Sequence, residues 1–412
     1  MTADQPLRIA LYSGLYVQRD AVSNSVAAKL RVLRNLIDQG APLEVTVFTQ
    51  GSDVGDPEVT VCPTLSHLLR DDRFWSSDLH IFESGMYYDL YNAIYLVPPD
   101  RPVLAIEHNT TPPELVDDPE AKAGCERALV QRSNLTLARH VACVSEFNLE
   151  VARSVGVPED RLSVLHLPAS IVPGTPPRRI GSGGGPVRLL AVGRFVRAKG
   201  IGDLLSLVRR LRTGSIPITL TLAGDPRFSD PAVLGAVEKA RAELDGTLEV
   251  VLAPDDQTVA RLYAESDALV VASYHEGYCV PVVEAYGFGR FVIAYDAGNL
   301  SFVMGGLGAL VPTGDVDALT TAVATFADGV RVARGGGSLT LPTESGDLSE
   351  AKWLAGVNRH LEGYGWSRFE EGFVSILRDL IGVDRFASLN AGIAPLVHQV
   401  GTVTKPSSER YS

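Results

Sequence analysis

Residues 187–211 read VRLLAVGRFVRAKGIGDLLSLVRRL, and their pattern decides the fold. VRLLAV is a short run of mostly aliphatic residues closed by a glycine, as expected of a buried strand. Beyond Gly200 the apolar positions Ile201, Leu204, Leu205 and Val208 recur at helical spacing. A strand, a polar loop and an amphipathic helix in that order begin a βαβ unit, whose strands pair in parallel.

The same alternation continues on both sides. Downstream, residues 218–222 (ITLTL), 248–252 (LEVVL), 268–272 (ALVVA) and 291–294 (FVIA) are strand-like, with helical stretches between most of them. Upstream, the runs are 7–12, 43–48, 79–82, 103–106, 141–144 and 162–165. A helix is expected over 24–39, with Val26, Leu30, Leu33 and Ile37 on one stripe and Lys29, Arg31 and Arg34 largely off it. Residues 173–186, PGTPPRRIGSGGGP, keep no apolar period and read as a linker. The expected fold class is therefore α/β, two Rossmann-like doubly wound domains facing across a cleft. The expected organisation is a first domain over 1–172, the linker over 173–186 and a second domain over 187–365. A carboxy-terminal helix within 366–393 packs back toward the first domain, and 394–412 form a tail. Within the second domain, the Gly-, Ser- and Thr-rich residues 334–347 read as loop and 348–360 as helix.

Composition narrows the function classes. The 412 residues are 45% hydrophobic and 21% charged, which suits a soluble globular chain. The net charge is −12, and each half is separately acidic, so binding to a nucleic acid duplex is not expected. Cys62, Cys125, Cys143 and Cys279 form no C-x-x-C pair, which argues against a zinc knuckle or a disulfide framework and fits a reducing cytosol. No leader-like or membrane-spanning stretch stands out, so a cytoplasmic protein is expected. Lys29, Arg31 and Arg34 offer weak attraction to anionic lipid at the inner face of the membrane.

Ligands of open α/β sheets bind where strands run into helices at their carboxyl ends, so four loops matter. The first is residues 273–289, SYHEGYCVPVVEAYGFG, with Glu276 and Glu284 separated by seven residues. Pro281 suits a first helical position, which leaves Glu276 in the loop and Glu284 in the helix. Gly277, Tyr278, Cys279 and Val280 then present backbone N–H groups at the positive end of that helix, suited to an anionic or polyhydroxylated ligand. Read alone, both glutamates also fit solvated surface acids. The second loop, residues 193–200 (GRFVRAKG), begins at Gly193 and carries Arg194 and Lys199, a planar fork and a point charge for phosphate oxygens. The third, residues 107–112 (EHNTTP), places His108 and Asn109 at the end of a buried strand. The fourth, residues 13–24 (SGLYVQRDAVSN), leads into the first helix, with Ser23 or Asn24 as its cap and no structural need evident for Asp20.

Taken together, EGYCVPVVE, GRFVRAKG and VPTGDVDAL resemble the signature segments of retaining GT-B glycosyltransferases of family 4, formerly group 1. The likeness is strongest over residues 187–326. EHNTTP and DAVSN resemble loops of mannosyltransferase-like bacterial enzymes of polysaccharide biosynthesis. The resemblance implies a nucleotide diphosphate sugar as donor, GDP- or UDP-linked, and a hydroxyl acceptor. It implies that Glu284 bonds the ribose, Glu276 the donor sugar, that Arg194 and Lys199 neutralise the diphosphate, and that His108 touches the sugar near its reacting carbon. Many members bring a Gly-Gly pair to the phosphates where this chain has Ser23-Asn24. Apart from Asp315-Val316-Asp317 within VPTGDVDAL, no clear Asp-x-Asp metal motif stands out, so no cofactor and no metal are expected. A nucleotide-sugar epimerase of the same fold, or a non-catalytic nucleotide-sugar-binding protein, are the alternatives.

Overall fold

The computed structural model describes residues 5–18, 20–169, 178–212, 217–383 and 386. In the first domain, β1 (Leu7–Tyr16), β2 (Leu43–Ser52), β3 (Val59–Val61), β4 (Leu79–Ser84), β5 (Val103–Glu107), β6 (His140–Cys143) and β7 (Leu162–Val164) form one sheet in the order β3-β2-β1-β4-β5-β6-β7. In the second, β8 (Val187–Val192), β9 (Ile218–Gly224), β10 (Leu248–Leu252), β11 (Ala268–Val271), β12 (Phe291–Tyr295) and β13 (Ala309–Val311) run in the order β10-β9-β8-β11-β12-β13. All neighbours pair in parallel, as Leu11 with Val47 or Leu269 with Val292. Helices on both faces explain why β4, β5 and β12 are buried at every residue, as parallel strands require. The expected fold class is the observed one. Strand order reverses between β1 and β4 and between β8 and β11, and each reversal opens a crevice at the strands' carboxyl ends.

Several local expectations are corrected. The first helix spans Ala21–Asp38, and its cap is Asp20, whose carboxylate accepts from Ser23 N (2.8 Å) and Ser23 Oγ (2.9 Å). Ser23 is the third helical residue and Asn24 an exposed one, so neither caps. Asp20→Ala is expected to destabilise the first domain by about 1 kcal/mol, read as a lower thermal midpoint.

The three cations of this helix are not an open face. Lys29 is fully buried; the Arg31 guanidinium lies 3.9 Å over the Trp366 ring; Arg34 pairs with Glu58 and, at 3.2 Å, with Asp56. Residues 334–347 are not all loop, since Thr340–Thr343 and Gly346–Ser349 form an antiparallel hairpin anchored by the buried Leu341.

Residues 178–186, the described part of the expected linker, are fastened to the second domain. Asp267, wholly buried, accepts from Arg178 Nη2 and Gly181 N, both at 3.0 Å, and Glu350 accepts from Ile180 N at 3.3 Å. Residues 173–177 and the expected tail, 394–412, lie outside the described residues. The helix Trp366–Ile381 touches the first domain through Arg31 and through Gly372, which packs on Leu165. Among the described residues no helix is long and apolar enough to cross a membrane.

Candidate active site

The loop that follows β11 is held by backbone against backbone. Tyr274 N donates to Ala198 O (2.8 Å) and Asn299 N to Glu276 O (2.9 Å). Gly200 and Gly298 are left-handed (φ 61° and 60°), and each faces a carbonyl of this segment, Ala272 O and Glu276 O, so closely that no Cβ fits. Tyr274 and Tyr295 both donate to Asp203 Oδ2, at 2.8 and 2.9 Å, which ties the loop to the helix Ile201–Leu211. Cys279 then turns left-handed (φ 68°) to start the helix Val280–Gly287, with Pro281 in its first turn. A non-glycine residue held there costs about 1–2 kcal/mol, strain that only tight surroundings sustain. Its Sγ is buried, and burial pushes that thiol well above the ordinary range, so Cys279 serves as geometry rather than as a nucleophile.

Glu276 and Glu284 are both buried, at 6% and 5% exposure, which removes the reading of solvated surface acids. Glu276 Oε1 accepts from Lys199 Nζ and from Ser273 Oγ, both at 2.6 Å. Burial pushes its carboxyl up, yet the Lys199 ammonium and the two hydrogen bonds outweigh that and hold it below the usual carboxylate range. Glu284 lies one helical stretch away and accepts from the Tyr263 hydroxyl at 3.0 Å. Gly193, Arg194, Lys199, Ser273, Glu276 and Cys279 line one small cavity at the β8/β11 crevice. Arg194 is exposed at its mouth without an ion pair among the described residues, and its charge reaches Cys125 of the first domain.

From the opposite domain come His108 and Asn109. His108 Nε2 bonds Glu83 Oε2 at 2.6 Å, and Glu83 Oε1 lies 2.9 Å from Lys29 Nζ. Asn109 is left-handed (φ 77°) and its amide bridges the domains: Oδ1 accepts from His275 Nε2 (3.1 Å) and Nδ2 donates to Asn148 Oδ1 (2.8 Å). Ser145 Oγ donates to Gly277 O at 2.6 Å, and the Tyr278 hydroxyl reaches Leu167 O. The structure thus brings His108 and Asn109 against Gly277, with Arg194, Lys199 and Glu276 in the adjoining crevice. Asp20 is spent on capping the helix, and Ser23 is held by that cap and by Val17 N, from which its Oγ accepts at 3.0 Å. Sequence reasoning missed Lys29, Glu83, Ser273 and His275. Lys29 was the one with a signal, since its helical spacing from Val26 and Leu33 puts it on the buried stripe.

Comparison with known proteins agrees with this architecture. Residues 186–328 match the family described as Glycosyl transferases group 1. Over 155 residues the chain is 32% identical to the MMP alpha-(1->4)-mannosyltransferase of Mycolicibacterium hassiacum, covering 36% of each protein. Over 210 residues it is 28% identical to the D-inositol 3-phosphate glycosyltransferase of Rhodococcus erythropolis, covering 48% of this chain and 42% of the relative. The chain therefore spans less than half the length of these curated relatives. Among solved structures, Anabaena HepE in complex with UDP-glucose superposes with a TM-score of 0.67 at 14% identity, over 90% of this chain and 100% of that one. The sucrose-phosphate synthase of Thermosynechococcus elongatus gives 0.66 at 19% identity, over 91% and 99%. The protein has the GT-B fold of glycosyltransferases. The match to the group 1 glycosyl transferases falls within its second domain.

Proposed function

We propose that this chain is a retaining glycosyltransferase. It moves a hexose, mannose or glucose, from a nucleotide diphosphate sugar to a hydroxyl of a glycan, glycolipid or small molecule, with no metal taking part. The observation that carries this is the pairing of Lys199 with the buried Glu276 in a switch-point crevice whose mouth holds Arg194. A crevice with two cations and a held carboxylate suits a diphosphate joined to a polyol. The C1–O bond to the diphosphate breaks with its electron pair on the leaving oxygen, where Arg194, Lys199 and the amides of Gly277, Tyr278, Cys279 and Val280 meet the charge. Those cations are charge enough to stand in for a divalent ion. The acceptor oxygen bonds C1 on the same face, and its proton passes to a leaving diphosphate oxygen, so no protein nucleophile is needed. Glu276 orients the sugar hydroxyls, Glu284 the ribose, and His108 faces the sugar from the first domain.

The test is a panel of GDP- and UDP-sugars with the purified protein, scoring thermal stabilisation and then transfer to candidate hydroxyl acceptors with and without EDTA. Arg194→Ala is expected to lower kcat about 10²-fold, as loss of one donor to a developing anion does, and to leave folding unchanged. Undiminished transfer by Arg194→Ala would remove the phosphate assignment, and loss of transfer in EDTA would remove metal independence. Nucleoside diphosphate released together with a 2-epimer of the free sugar, without acceptor, would favour an epimerase; binding without turnover would favour a non-catalytic protein.

A further inference from the structure

The first domain contains an ion pair buried out of reach of solvent. Lys29, on the helix Ala21–Asp38, and Glu83, near the end of β4, have side chains 0% and 1% exposed, and Nζ lies 2.9 Å from Oε1. Two charges taken out of water at such depth gain little or nothing over apolar side chains of the same shape. The pair nonetheless has further polar partners. Lys29 Nζ also donates to Ser25 O (3.2 Å) and to Ser25 Oγ, while Glu83 Oε2 accepts from Ser25 Oγ (3.3 Å) and from His108 (2.6 Å). The Tyr88 hydroxyl fixes the same residue's backbone by donating to Glu83 O at 2.7 Å. His108 belongs to the segment that stands against the Gly277 loop of the second domain.

We infer that Lys29 and Glu83 are positioning residues for His108, holding its ring so that Nε2 carries the proton and Nδ1 faces the cleft as a hydrogen-bond acceptor. A carboxylate accepts only, so Nε2 must be the donor in the 2.6 Å contact. Burial pushes the Glu83 carboxyl up, but Lys29 and His108 together hold it below the usual range, so it remains a carboxylate. The role of Lys29 follows from charge balance. An isolated buried carboxylate would draw a second proton onto the imidazole, whereas one already neutralised by an ammonium offers an acceptor without an unbalanced charge. Nδ1 has no protein partner among the described residues. An acceptor at that place suits a polyol's hydroxyl proton. On the proposed function, which this last step rests on, the hydroxyl is the donor sugar's.

The arrangement is testable without any turnover. In the 15N-labelled wild-type protein at neutral pH, His108 is assigned among eight histidines by its loss in His108→Asn, and its two ring nitrogens are read from long-range 15N–1H correlation. A protonated Nε2 with an unprotonated Nδ1 is expected. An Nδ1–H tautomer, or an imidazolium, would overturn the inference. Glu83→Gln supplies an amide that can donate, so it is expected to shift His108 toward Nδ1–H and to lower kcat about tenfold or more with little change in donor KM. A Glu83→Gln protein whose His108 spectrum and kcat match the wild type would also overturn it. Because the wild-type tautomer is read without Glu83→Gln, failure of that variant to fold leaves it readable. If no sugar is transferred while His108 is Nε2-protonated, the proposed function fails and the positioning role stands.

Discussion

Lys199→Ala is expected to reduce turnover by about 10²–10³-fold and to destabilise the second domain in a pH-dependent way. Two separate consequences meet at this side chain. The catalytic one is the loss of a cation from the place where the proposed leaving group gains charge. The structural one is that Glu276, 8% exposed at its side chain, loses the ammonium 2.6 Å away. A buried polar group left unsatisfied costs about 1–3 kcal/mol, and Ser273 Oγ alone does not replace a charge.

The pH dependence has a definite sign. In the wild type the Glu276 carboxyl is held below its ordinary range, so its contribution to stability is fully present above that range and is lost as pH falls through the folded value. Without Lys199 the remaining dominant influence is burial, which pushes the carboxyl up. Ionising it then opposes folding as pH rises. The difference in thermal midpoint between wild type and Lys199→Ala is therefore expected to be large near neutrality and to shrink toward pH 4. Adding Glu276→Gln to Lys199→Ala removes the unpaired charge and is expected to restore most of the midpoint and none of the turnover. A midpoint difference that is flat with pH would show that Lys199 and Glu276 are not coupled as their geometry requires.

How far the sequence reaches depends on whether a residue's partner is near or far along the chain. Strands such as Val187–Val192 and Leu248–Leu252 are legible because a continuous apolar run is a local property. The short strand Val59–Val61 is not, since its three residues stand among polar and turn residues with no apolar run around them. Lys29 shows a different failure. It stands three residues after Val26 and four before Leu33, so helical geometry puts it on the buried stripe, and only its chemistry assigned it to water. What makes its burial tolerable is Glu83, 54 positions away. Glu83 and Ser84 likewise read as the end of a strand because nothing local reveals His108 or Lys29 waiting beyond. Asp20 was passed over because two good caps, Ser23 and Asn24, stood closer to the apolar pattern, and the backbone chose the earliest acceptor. Glu276, Lys199, Arg194 and Glu284 were visible because their chemistry sits in loops beside clear strands. Ser273 and His275, their neighbours, act through contacts that only the folded chain creates.

Gly277→Ala is expected to separate the two domains. The added Cβ would lie 2.7 Å from His108 O and 2.8 Å from Asn109 Cβ, both atoms of the first domain. Gly277 is not among the left-handed glycines, so alanine fits its own backbone and the whole effect comes from that collision. Neither side can give way. Asn109 is held in a left-handed turn by Asn148, by Thr110 N at 2.6 Å and by Glu107 Oε1, which accepts from its N–H at 3.2 Å. The 273–279 loop is clamped between Gly200 and Gly298, where a carbonyl already touches bare Cα. The relief open to the molecule is to draw the domains apart, at the loss of the Ser145–Gly277 and Asn109–His275 hydrogen bonds. Small-angle scattering should then show a larger radius of gyration that nucleotide sugar does not bring back to the wild-type value. Turnover should fall about 10²-fold, since an ångström of misplacement between reacting groups has that effect, while nucleoside diphosphate still binds the second domain. Wild-type scattering together with wild-type turnover in Gly277→Ala would mean that the contact between His108 and the Gly277 loop is not part of the working state.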